Sequence, residues 1–418
     1  MNRLRKEMEV FLQCPRSMRL LLIANMIYAL LLPIIEIFVA AYVMRNSQAV
    51  SLVVTYQLAV YAATPVAFLA NGFLLGRVEA KHLYAAGMVL SGLAIVWMMR
   101  SGTLSLLDIA TSGLMMGLAT GLFWANRGFL ALASTQDNNR NYYYGVELFV
   151  AMLASVVVPA LVGWFLTATV RYGWLGGEVN RAYQGIAGIF LALTAASALI
   201  VLRGTFPSPA NTRFLFLHFH PLWRRMQALA LLKGLAQGYI LTAPAMLILL
   251  FAGKEGTLGA TQSIGGVLAA FMLYTVGRSA SPRHRQIVFA AGLLLFFAGA
   301  AFNAVLFNAW GVLLFLGCLL LAKPLLDLGY NPIEMRIIDA VSQLEHRNQY
   351  AYFFNHDLAL FAGRAVGCLF FLALARWGSP TVALRYAMPV IALFQLLSIA
   401  IARQARSAES ASTAGVGK

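Results

Sequence analysis

The sequence predicts an all-α integral membrane protein whose twelve transmembrane helices form two pseudo-symmetric six-helix bundles. Three observations carry this. Of 418 residues, 61% are hydrophobic and 11% charged, against about 45–50% apolar and about 25% charged in soluble domains. Apolar stretches of spanning length, roughly 20 residues, follow one another along the chain. Short matches between the halves recur at about half the chain length.

Residues 1–17 hold Arg3, Arg5, Lys6, Glu7, Glu9 and Pro15, and are expected to be a cytoplasmic N-terminus. The apolar run that follows is too long for the h-region of a cleavable signal. Bundle one, 18–203, should contain spans near 18–44, 49–75, 82–99, 105–131, 141–166 and 184–202. A polar stretch, 204–225, with Pro207, Pro209, His218, His220 and Pro221, is expected as a cytoplasmic linker. Bundle two, 226–403, should contain spans near 226–251, 257–276, 286–306, 308–335, 350–375 and 383–402. The tail, 404–418, is Ser, Ala and Gly-rich and is expected to be disordered and cytoplasmic. Helix is the expected form because a lone span in lipid must satisfy its own backbone hydrogen bonds, and the alternation of a membrane β-barrel is absent.

The net charge of +16 does not point to nucleic acid, because the basic residues lie in short runs between apolar segments. On this reading 21 of the 31 Lys and Arg face the side of the N-terminus, seven face the other side, and three lie within spans. Positive residues favour the cytoplasmic side, so both termini are expected inside. Cys14, Cys318 and Cys368 are far apart, with neither metal nor disulfide spacing.

The internal matches keep their order. Tyr28 and Pro33 of the first span recur as Tyr239 and Pro244 of the seventh. Gly76-Arg77 recurs as Gly277-Arg278, Asn126 as Asn331, and Arg140-Asn141-x-Tyr143 as Arg347-Asn348-x-Tyr350. Parallel six-helix repeats place a substrate between the halves near the bilayer midplane. Proline removes a backbone donor and bends a helix, so the first span of each half should be kinked.

With six spans on each side of a central linker, the chain resembles the major facilitator superfamily. The family motif between spans two and three, G-x-L-x-D-R-x-G-R-[KR], is matched here by Gly72, Leu74, Arg77 and Lys81. Gly76, Glu79 and Ala80 depart from it. A fifth-span motif of exporters keeps only Pro159 and Gly163. The resemblance implies a secondary transporter working by alternating access.

Charges inside spans are costly and usually functional or paired. Glu36 lies one turn beyond Pro33, in the outer part of the first span. Lys323 and Asp327, four apart on one helix face, fall near mid-membrane. Arg364 lies at mid-depth in the eleventh span, with Asp357 seven residues earlier on the same face. With Tyr28, these residues (Glu36, Lys323, Asp327, Arg364) are the candidates for substrate or proton coupling. His356 reads as a packed ring and Lys233 as a snorkelling cation. Arg77, Arg127, Glu147, Arg336 and Asp357, near cytoplasmic helix ends, are candidate gate ion pairs, with Glu334 beside them. Trp124, Tyr142, Tyr143 and Tyr144 read as interfacial belt aromatics. Gly113, Gly117 and Gly121 form a small-residue stripe that permits close helix approach.

No H-E-x-x-H and no Walker A motif occurs, and none of the six histidines has an Asp five residues on. An enzyme is therefore not expected, nor are a cofactor, metal or nucleic-acid partner. The expected partners are a small charged or amphoteric organic solute, protons and the lipid bilayer. The expected state is a monomer in a bacterial inner membrane. A lipid or glycolipid flippase on the same fold is the alternative.

Overall fold

The computed structural model describes residues 9–100, 104–206, 218–252, 255–279, 285–347 and 349–405. Calls on the tail from residue 406 and on 207–217 of the linker lie outside them. Among the described residues the chain forms twelve long helical segments. They are α1 (Arg16–Ser47), α2 (Val50–Leu74), α3 (Ala80–Met99), α4 (Leu106–Ser134), α5 (Asp137–Tyr172) and α6 (Val179–Leu202). The second six are α7 (Pro221–Ala252, broken once), α8 (Glu255–Ser279), α9 (Arg285–Leu306), α10 (Ala309–Glu345), α11 (Gln349–Trp377) and α12 (Pro380–Ala405). Eleven are long and apolar enough to cross a membrane. The exception, α8, is Gly, Thr and Gln-rich in its first half, yet its 25 helical residues reach about 37 Å.

Two helices outrun their predicted ends. α5 has 36 residues and α10 has 37, or about 55 Å against a hydrocarbon core of about 30 Å. The surplus of α10 mixes Arg336, Asp339, Ser342 and Glu345 with the buried Ile337, Ile338 and Val341, a pattern that an apolar run does not mark. Pro159, Pro324 and Pro332 sit inside these helices without ending them.

The described residues fall into two compact units, one drawn from 1–48 and 62–212, the other from 49–61 and 213–418. α2 is one continuous helix that contributes to both. Within the first unit α3 packs on α4 and α6, and α1 on α5 and α6. Within the second, α9 packs on α10 and α12, and α7 on α11 and α12. The packing order of one unit is thus repeated in the other, six helices later.

The Tyr–Pro repeat has a structural meaning. In α1 the helix breaks at Leu30–Leu31, and in α7 at Leu241–Thr242. In each, the freed tyrosine carbonyl is reached by a tighter bond: Leu31 N–H donates to Tyr28 O at 2.9 Å, and Thr242 N–H to Tyr239 O at 3.1 Å. Pro33 and Pro244 follow, and neither can donate to the carbonyl four residues back. Beyond Pro33 one π-helical turn, Ile34–Phe38, carries Glu36. Tyr28 stacks on Phe123 at 4.2 Å and Tyr239 on Phe371 at 4.6 Å, both buried.

The α7–α11 contact is backbone to backbone. Gly234 and Gly238 lie against the carbonyls of Leu360 and Arg364, while Gly363 and Gly367 lie against those of Leu231 and Leu235. A methyl at any of the four would overlap a carbonyl oxygen.

Candidate functional site

The second unit gathers most of its buried charge on α7, α10 and α11. On α10, Asp327, Tyr330 and Glu334 share one face at i, i+3 and i+7. Lys233 of α7 pairs with Asp327 at 3.6 Å. The same ammonium sits 3.9 Å from the centre of the Tyr330 ring and donates to Asn331 Oδ1 at 3.4 Å. The Tyr330 hydroxyl lies 2.7 Å from His356 Nε2. The other ring nitrogen of His356 is 3.3 Å from both Glu334 Oε1 and Asp357 Oδ1. His356 and Glu334 are buried.

Two pairings here differ from what spacing along one helix suggests. Asp327 takes Lys233 from another helix rather than Lys323 from its own, and Lys323 is exposed. Lys233 is held by an aspartate and a tyrosine ring rather than left to snorkel. Lys233 stands 94 residues from Asp327 in the chain, which no spacing rule could join.

Arg364 lies about two turns further along α11. Its Nε and Nη2 donate to Gln237 Oε1 at 3.1 and 2.6 Å. The guanidinium lies 4.7 Å from the Phe361 ring centre and 5.2 Å from that of Tyr61. Tyr61, from the part of α2 that belongs to this unit, in turn donates to Gln237 O at 3.3 Å. Asp357, on the same face, contacts His356 and not Arg364. Among the described residues Arg364 is therefore held by a neutral amide and two aromatic faces, and its charge is matched by no bonded carboxylate.

The first unit holds a tighter cluster. Arg127 of α4 grips Glu147 of α5 with two bonds, Nε at 3.2 Å and Nη2 at 2.6 Å, and lies 5.0 Å from the Trp124 ring centre. Asn25 of α1 donates to Glu147 at 2.7 Å and to the Tyr143 hydroxyl at 2.8 Å, and accepts from the Tyr84 hydroxyl at 2.6 Å. Both ends of the ion pair belong to one unit. Tyr143 is fully buried, which corrects its reading as a belt aromatic; Trp124 and Tyr144 are exposed. Sequence reasoning missed Asn25 and Tyr84, since neither carries charge or motif.

The remaining candidates are dispersed. Tyr28 donates to Ser91 Oγ at 3.2 Å inside the first unit. Glu36, Arg77 and Arg336 are exposed. In the first turn of α3, Lys81 pairs with the N-cap residue Glu79 at 3.0 Å and donates to Gly204 O at 3.4 Å just past the end of α6. The Lys81 ammonium holds the Glu79 carboxyl below the usual range, by hydrogen bond first and charge second. Gly121 packs onto Ala67 and the Thr64 carbonyl of α2, as a small-residue stripe predicts.

No protein-family model matches the sequence. An uncharacterised protein of Bacillus subtilis strain 168, YqgE, is 21% identical over 375 residues, which is 85% of this chain and 82% of that protein. Among solved structures, a POT family transporter in complex with a thioalcohol-conjugated peptide matches with a TM-score of 0.67 at 10% identity, over 94% of this chain and 97% of that one. A POT family transporter in complex with 5-aminolevulinic acid gives the same TM-score, identity and coverage. A bacterial homologue of the human lysosomal transporter Spinster, in an inward-facing and occupied conformation, matches with a TM-score of 0.65 at 11% identity, over 96% and 97%. The chain has the fold of these solved transporters.

Proposed function

We propose that this chain is a secondary active transporter rather than an enzyme. It moves a small charged or amphoteric organic solute across a bacterial inner membrane by alternating access, coupled to protons. It acts as a monomer with both termini cytoplasmic, and needs no cofactor or metal. The transporter fold supports the class. The observation that carries the substrate reading is Arg364. Its guanidinium offers a fixed charge and forked donors, is held by the neutral Gln237 amide, and sits between two aromatic rings. A cation kept within a span without an acid partner is suited to the carboxylate or phosphate of a solute. The capture of 5-aminolevulinic acid by a POT transporter fits an amphoteric solute.

The test compares metabolites inside cells and in the medium, with the protein absent, intact, or carrying Arg364→Gln or Arg364→Lys. The intact protein should change one charged compound oppositely in the two pools. Both variants should lose at least tenfold of that change, because lysine cannot reproduce the fork. If no compound moves while purified protein scrambles lipid in vesicles, the solute reading fails and a flippase replaces it. If the variants match the intact protein, Arg364 does not bind the solute.

A further inference from the structure

We propose that His356 is a proton-binding group of the second unit, and that its charge decides whether Lys233 is held by Asp327 alone or shared with Glu334. The coupling part of this rests on the transport reading above; the protonation part does not. The charged and titratable groups around the ring are Tyr330 and Glu334 from α10, Asp357 from α11 and Lys233 from α7.

One neutral form of the ring satisfies all three contacts. With its proton on Nδ1, His356 donates to Glu334 and Asp357, both at 3.3 Å. Nε2 then accepts the Tyr330 hydroxyl proton at 2.7 Å. Adding a proton at Nε2 gives an imidazolium facing two carboxylates, so the added charge is compensated where it forms. The Tyr330 hydroxyl must then turn and accept. Histidine is the side chain whose ordinary titration falls in the physiological range, and here its partners suit both forms.

The consequence runs along α10. Asp327 and Glu334 lie seven residues apart, about 10 Å along one face. Tyr330 stands between them, touched on its ring by Lys233 and at its hydroxyl by His356. With His356 charged, Glu334 is neutralised locally and Lys233 answers to Asp327. With His356 neutral, Lys233, on the ring of the Tyr330 that separates the two carboxylates, is left to act on Glu334 as well. Arg364 lies eight residues beyond His356 on α11, about 12 Å away along the helix, so proton and solute groups share one element.

The test needs no solute. Full-length protein with ¹⁵N-labelled histidine is placed in lipid nanodiscs, and ring nitrogen shifts are followed by NMR from pH 8 to pH 5. Of the six histidines, His356 is identified by the signal lost in His356→Gln. If that variant does not fold, single variants of the other five assign it by elimination. The expected result is one neutral tautomer with the proton on Nδ1 at pH 8, converting to the charged ring by pH 5. Glu334→Gln should move the pH at which the ring shifts change, because it removes a carboxylate facing Nδ1, and Tyr330→Phe should change the tautomer mixture at pH 8. A ring that keeps one neutral tautomer across the range overturns the proposal. So does a titration that Glu334→Gln leaves unmoved. Failure of the metabolite comparison would remove the coupling role while leaving this titration standing.

Discussion

Gly238→Ala is a small change with a calculable consequence. An added Cβ would lie 3.0 Å from the carbonyl carbon and 3.1 Å from the Cα of Arg364, and nearer still to its carbonyl oxygen. Ordinary contact begins near 3.4 Å. These are helix backbone atoms and cannot rotate aside, so α7 and α11 must part. Overpacking of this kind costs about 1–3 kcal/mol, while alanine regains about 1 kcal/mol of helix propensity. The net should be a loss of up to about 2 kcal/mol. Gly188→Ala in α6 meets nothing within 4 Å and should gain up to about 1 kcal/mol from propensity alone. Thermal unfolding of the detergent-purified proteins, read by loss of the monodisperse peak, should separate the two variants by about 5 °C, at roughly 2–4 °C per kcal/mol. Because the displaced atoms belong to Arg364, Gly238→Ala should also weaken transport of the compound found in the metabolite comparison. A Gly238→Ala protein that melts with or above Gly188→Ala would refute a backbone contact between α7 and α11.

Glu147→Gln leaves Arg127 without its carboxylate and should cost about 1–3 kcal/mol, whereas Arg127→Gln with Glu147→Gln should recover part of that; melting of the single and double variants in one cycle decides it. Pro33→Ala and Pro244→Ala restore a backbone donor at each break, and should hold or raise the melting temperature while slowing transport several-fold. A slowed rate with a lowered melting temperature would mean that the prolines serve packing alone. Lys81→Gln removes the cation that keeps the Glu79 carboxyl below its ordinary 4.5. A carboxyl held low contributes stability above that value and loses it as pH falls through its folded pKa. The melting difference between wild type and Lys81→Gln should therefore be present at pH 7 and fade below pH 4.5, with wild type the higher.

The fold was legible because lipid leaves few options. Apolar runs mark eleven of the twelve helices, and the Tyr28–Pro33 and Tyr239–Pro244 pairs located both helix breaks to within a turn. A proline inside a span has a fixed local effect, so its signature survives without knowledge of neighbours. Helix ends were less legible. α10 continues to Glu345 although apolarity fades well before, because a helix leaving the bilayer can carry polar side chains without altering its backbone bonds.

The site was legible in its residues and not in its pairings, and the difference is physical. Burying a charge is costly enough to be visible in one dimension, so Asp327, Arg364, Glu147 and Arg127 stood out by composition alone. Who neutralises them is settled by packing across helices. A helix presents i and i+4 on one face, which favoured Lys323 for Asp327, yet a neighbouring helix brings Lys233 to 3.6 Å of it. The neutral partners, Gln237 for Arg364 and Asn25 for Glu147, leave no trace in charge or hydropathy. They matter electrostatically, because a cation bonded to an amide keeps its full charge, while one bonded to a carboxylate is neutralised by it. Arg127 and Arg364 are alike in sequence and opposite in this respect: the first is gripped by the Glu147 carboxylate, and the second is held by the neutral Gln237 amide.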